Sequence, residues 1–167
     1  RRAARPRRRL TGGAGRRVHR YARSGATGYR ADMATEPTDV NVDDYLSAVP
    51  NNRRRNDGIE VTRIMQEITG EAPRMWGPSM IGFGSADYQY ESGHSGTTFR
   101  IGLAPRTSAL VLYGLIPPAD ELERLDDLGE FTRSKACIYV KRLAGLDEAV
   151  LRDLITRAWA ESGPREL

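Results

Sequence analysis

After Pro78 the apolar residues stop recurring every three or four positions and begin to alternate, and that switch restricts the chain to a small set of folds. Alternation puts every second side chain on one face, so each such segment reads as a strand with one buried side. Four of them follow in turn, at residues 79–83, 87–91, 97–104 and 108–115. Between them lie Gly84-Ser85, the run 92–96 containing His94, and Pro105-Arg106-Thr107, which is turn chemistry suited to an antiparallel meander. A fifth strand is expected at residues 136–142, ACIYVKR.

Helical signals flank the strands. VDDYLSAV, from residue 42, predicts a short helix with Asp43 capping it or favouring its first turn, ended by Pro50. Ile59, Ile64, Met65 and Ile68 predict an amphipathic helix stopped by Gly70 and Pro73, with Gly58 weakening it from within. Leu122, Leu125 and Leu128 predict a short surface helix in ADELERLDDLGE. Asp147 should cap a terminal helix whose core face is Val150, Leu151, Leu154, Ile155 and Ala158. Helices before and after antiparallel strands give an α+β domain, a sheet of about five strands with helices on one face and the other face free for solvent or a partner.

The 167 residues suit one domain, and the longest strongly apolar run, residues 109–116, is too short to cross a bilayer. One cysteine, Cys137, permits no internal disulfide, which fits a reducing, cytoplasmic setting. The net charge of +4 is unevenly spread. Residues 1–32 carry eleven arginines and one acid, whereas residues 33–167 carry 15 basic and 21 acidic side chains. The body is therefore acidic and offers no basic face for nucleic acid. The arginine-, alanine- and glycine-rich segment 1–32 has no apolar periodicity and is expected to be disordered, with upstream sequence translated in frame as its simplest origin and Met33 as the start of the body. The single domain is accordingly expected over residues 33–167.

The stretch RMWGPSMIGFG, residues 74–84, is rich enough in glycine to suggest a phosphate loop. It lacks the spacing and the lysine of one, and a strand rather than a helix follows. Bare glycines on one strand face are read instead as sites of close approach. MWGPSMIGFG, the Tyr88/Tyr90 pair, FRIGLAPR, LVLYGL and SKACIYVKRLAGLD, in that order before a terminal helix, resemble the YdhG-like domain family over about residues 42–159. The resemblance implies a small cytoplasmic α+β domain. Some family members are described as frataxin-like iron chaperones serving iron–sulfur cluster assembly, so the implied cofactor is iron, the implied partners are iron–sulfur assembly proteins, and the implied ligands are exposed carboxylates.

Asp120, Glu123, Asp127 and Glu130 fall at i, i+3, i+7 and i+10, which a helix would set along one face as oxygen ligands for a hard cation. The commoner meaning of that pattern is a solvated face opposite the leucines. Asp39, Asp43 and Asp44 form a second acidic group at a helix entry. His94 beside Glu91 lacks a third ligand, and Cys137 within a strand reads as a core residue. Arg106, Lys135, Lys141 and Arg142 come from strand ends and could converge at one end of the sheet on an anionic ligand or acidic partner. Trp76 stands at a corner where a pocket between layers could open. No nucleophile and base can be paired. The expectation is a non-enzymatic binding protein, either an iron handler or a metal-free interaction module using the free sheet face and its basic ends.

Overall fold

A computed structural model describes residues 36–89 and 95–162. Expectations for the segment 1–32, for Met33 and for Tyr90, Glu91 and His94 lie outside the described residues. The fold is α+β. A seven-stranded antiparallel sheet runs in the order β1-β2-β3-β6-β7-β9-β8, and β4 and β5 pair separately. The strands are β1 (Pro37–Thr38), β2 (Arg74–Trp76), β3 (Met80–Phe83), β4 (Ala86–Gln89), β5 (Ser95–Thr98), β6 (Ile101–Pro105), β7 (Leu110–Tyr113), β8 (Phe131–Arg133) and β9 (Cys137–Val140).

Three helices accompany them: α1 (Val42–Ser47), α2 (Asn52–Thr69) and α3 (Glu148–Glu161). Each begins on a side-chain oxygen that accepts from an orphan amide. Asn41 takes the amides of Asp43 and Asp44 at 2.8 and 3.1 Å, so Asn41 caps α1 and the aspartates occupy its first turn. Asn51 accepts from Arg54 N at 2.9 Å, and Asp147 accepts from Val150 N at 3.0 Å. Gly70, at φ 70°, closes α2 as its spacing predicts.

One sheet face packs under α2 and α3. Ile81, Phe83, Ile101, Leu103, Leu110, Leu112, Ile138 and Val140 meet Val61, Ile64 and Met65 of α2 and Leu151, Leu154 and Ile155 of α3. Ile59, expected among the core residues, is 46% exposed. Gly58 is instead where α2 packs closely against α1 and the end of β6: a methyl group there would stand 3.1 Å from Leu46 Cδ2 and 3.4 Å from Pro105 Cβ. The glycine costs helix propensity and permits the contact.

The expected run of four consecutive strands breaks once. Residues 97–104 do not form one strand, because Phe99 and Arg100 separate β5 from β6. β3 therefore pairs directly with β6, in the register Ile81↔Leu103, Gly82↔Gly102 and Phe83↔Ile101. RMWGPSMIGFG also differs from expectation, being a hairpin in which β2 pairs with β3 as Met75↔Ile81. β1 and β8, too short to show alternation, complete the two edges of the sheet.

The second sheet face is partly covered. Gly82 and Gly102 lie side by side, and Phe99 fills the space above both: an added methyl at Gly82 would overlap Phe99 and stand 2.7 Å from Trp76 Cδ1. Trp76, Phe99 and Tyr113 form a row of edge-to-face rings with 5.7 Å between neighbouring centroids, an arrangement that favours positive ring edges on negative faces. Gly82→Ala is expected to lower unfolding free energy by about 1–3 kcal/mol, the usual cost of overpacking. Chemical denaturation of Gly82→Ala, Phe99→Ala and the double variant checks this, with the double costing less than the sum of the singles because removing the ring makes room for the methyl.

Candidate functional site

The strand connections decide which charged side chains meet. β7 runs back along β6, and β9 runs back along β7 with Leu110↔Val140 and Tyr113↔Cys137. Arg106, in the β6–β7 turn, and Lys141 and Arg142, just past β9, therefore share one end of the sheet. Lys135, ahead of β9, lies at the opposite end beside Tyr113, so the four cations do not converge as the sequence suggests.

The Lys141 end is fixed by Arg54, a residue of α2 that is 7% exposed. Its guanidinium donates to the carbonyls of Val140 at 3.1 Å and Lys141 at 3.3 Å, clasping the end of β9. Asp57 lies 3.9 Å from the same guanidinium and accepts from Leu143 N at 3.3 Å. Burial pushes the Arg54 pKa below its ordinary value, and Asp57 opposes the shift. Arg106 is near a half-buried polar group: Tyr45 reaches from α1 to donate to Ser79 O at 3.0 Å. Burial raises the Tyr45 phenol, with Arg106 pulling it back. Neither Arg54 nor Tyr45 carries a motif, and only its distant partners reveal its role.

Beside this end a concavity of about 510 Å³ is lined by Ala109, Glu130, Phe131, Thr132, Tyr139 and Lys141. Its inner wall is the less covered half of the second sheet face, where Tyr139 is half-buried and Thr132 exposed. At the opposite end a cleft of about 610 Å³ opens between the end of β7, the Pro117-Pro118 segment and the last turns of α3, and Lys135 lines it.

Charge is arranged differently on the two layers. On the helices Arg63 bridges Glu60 and Glu67, Arg152 bridges Glu148 and Glu67, and Arg157 pairs with Asp153. Arg106, Arg133, Lys135, Lys141 and Arg142 have no carboxylate within 4.0 Å among the described residues.

The carboxylate quartet loses its geometric basis. Instead of a helix through Asp120–Glu130 there is a single 3-10 turn, Leu122–Leu125, and the chain leaves it through Gly129 at φ 110°. The leucines at 122, 125 and 128 recur every three residues, which is the period of a 3-10 turn, and Leu125 and Leu128 are buried. Without an α-helix, spacings of 3, 7 and 10 no longer share a face. Among the described residues no group of three or more His, Cys, Asp or Glu side chains is placed to hold a metal ion. Trp76, at 2% exposure, lies edge-on to Phe99 within the second-face packing and lines neither cavity. Cys137 is half-buried, its amide donating to Ser134 Oγ at 3.2 Å.

The fold and its surfaces define an α+β domain with two polar-rimmed concavities at opposite ends of one antiparallel sheet. No protein-family model, no curated protein and no solved structure matches the chain. No helix among the described residues is long and apolar enough to cross a membrane.

Two outcomes check this geometry. Arg54→Leu is expected to destabilise the domain by about 2–4 kcal/mol, because the Val140 and Lys141 carbonyls and the Asp57 carboxylate lose their cation. Thermal and urea unfolding measure it. Neutralising Asp120, Glu123, Asp127 and Glu130 together is expected to leave the response to anaerobic ferrous titration unchanged, and a loss of saturable binding in that variant would restore the quartet as a site.

Proposed function

We propose that this protein is a binding module that takes an acidic segment of a partner protein at the Lys141 end of its sheet. The observation that carries the reading is the cluster of Arg106, Lys141 and Arg142 without carboxylate partners among the described residues, set beside a concavity walled by Phe131 and Tyr139. Cations left without internal counter-charges are available to an external one, and the aromatic wall supplies apolar area for the peptide that bears it. β8 adds a second element of recognition. It is one of the sheet's two edge strands, paired with β9, and an extended peptide can add to such an edge through its backbone while Lys141 reads its charge.

Fluorescence polarisation with glutamate-rich and lysine-rich peptides of equal length tests the reading. The acidic peptide is expected to bind the full chain more tightly. Its affinity should fall by about tenfold or more in the double variant Arg106→Glu/Lys141→Glu, the factor that corresponds to about 1.4 kcal/mol, and should weaken with salt as screened charges do. Equal binding of both peptides, or affinity indifferent to the double reversal, would refute it. Tyr139→Ser should weaken the acidic peptide without changing its salt dependence, since it removes apolar area from the less covered sheet face.

A further inference from the structure

The cleft at the opposite end of the sheet has a different chemistry. Four cations line it: Arg100, Arg124, Lys135 and Arg157. Three are already engaged within the chain. Arg100 lies 3.5 Å over the Trp159 ring and donates to the Trp159 carbonyl and to Ser162 Oγ. Arg124 Nη2 is 2.8 Å from Glu121 Oε2, and Arg157 Nε is 2.7 Å from Asp153 Oδ2. Only Lys135 of the four has neither a carboxylate nor a carbonyl partner among the described residues. Much of the remaining lining is apolar, with Phe99, Tyr113, Leu115, Ile116, Pro117 and Leu154 along it.

We propose that this cleft is a small-molecule site for an amphiphilic monocarboxylate, a medium-chain fatty acid or an aryl-alkanoic acid. The carboxylate pairs with Lys135, and the hydrocarbon part lies along Phe99, Tyr113, Ile116 and Pro117. One free cation over an apolar wall matches one negative charge on an apolar body. A neutral alcohol of the same length would cover the wall without gaining the charge-assisted contact to Lys135. A phosphate monoester would bring a second negative charge near Glu161, which also lines the cleft and has no ion-pair partner among the described residues. The volume, about 610 Å³, falls within the range of small-ligand sites, roughly 300–1,000 Å³.

Isothermal titration of the full chain with octanoate, octanol and octyl phosphate tests the proposal. Octanoate is expected to bind saturably at one site, with the other two weaker by about tenfold or more. Lys135→Glu should abolish octanoate binding, and Lys135→Arg should keep it within about threefold, since charge is retained while ammonium geometry is lost. Lys135 is exposed, so the variants should melt as the parent does, and Ile116→Asp provides an independent test by charging the apolar wall. Octanoate and octanol binding alike, octanoate binding unchanged in Lys135→Glu, or no saturation below about 1 mM, the weak end of specific affinities, would each overturn it. The acidic peptide is measured on the same full chain, without substitution. Peptide binding without octanoate binding removes this site alone, and octanoate binding without peptide binding removes only the partner surface at the other end.

Discussion

Gly82 and Gly102 face each other across β3 and β6, and the bare patch they leave is the contact on which the second sheet face depends. Phe99 can lie on that patch because neither position has a Cβ. With its ring held there, the chain breaks between β5 and β6, and the next residue, Arg100, is carried to the end of α3. Arg100 then satisfies the Trp159 carbonyl, one of the acceptors a helix leaves unpaired at its C-terminus, while its positive charge sits where the helix dipole is negative. Gly84, at φ 61°, admits Trp159 from the other side, with room that a side chain would occupy. The break between β5 and β6, the contacts at the C-terminal end of α3 and the wall of the Lys135 cleft thus follow from two missing methyl groups.

Charge follows the layers. The Glu60–Arg63–Glu67–Arg152–Glu148 chain ties α2 to α3 across partly exposed side chains, so each pair contributes little to stability and is weakened by salt. The side chain of Glu60 is held below the ordinary carboxylate range mainly by its hydrogen bond from Arg63, which stabilises the folded chain above the unfolded carboxylate pKa and is lost as pH falls through the depressed value. A larger consequence is the cancellation of charge on the helical layer. Although residues 33–167 carry more acids than bases, the sheet ends hold cations that these acids do not neutralise. At physiological salt fields between exposed groups fade over about 8 Å, so a local cluster such as Arg106, Lys141 and Arg142 governs what approaches it more than the net charge does.

The long amphipathic elements were legible because each buries one regular stripe. α3 follows its sequence pattern in cap and core, and α2 ends at Gly70 as its spacing predicts. Strand alternation located β3, β7 and β9 to within a few residues. The departures have local causes. Leu122, Leu125 and Leu128 look helical until their repeat of three is separated from the 3.6 of an α-helix, and the carboxylate face expected between them depended on that distinction. β1, β2 and β8 are two or three residues long, too short for alternation to register. Strand pairing cannot be read from period alone, since the break at Phe99–Arg100 arises from a ring packing on two glycines far apart in sequence. The same limit explains the basic residues: their identities were visible, but the direction of β9, which puts Lys135 and Lys141 at opposite ends, comes only from its pairing with β7.

Both ends of the sheet join a structural arginine to an available lysine. At one end the Arg54 fork closes on two consecutive carbonyls at the end of β9, and at the other Arg100 divides its donors between a carbonyl, a hydroxyl and the face of an indole. A planar guanidinium suits that work, having several donors in fixed directions and tolerating burial while charged. Lys141 and Lys135, each close to one of these arginines along the sheet, contribute no such contacts within the chain and keep a compact charge on a mobile stem. Because Lys141 and Lys135 stand beyond opposite ends of β9, a ligand at one end need not disturb the other. That separation would let a single small domain present the two proposed binding surfaces, one for an extended acidic segment and the other a cleft of small-molecule size.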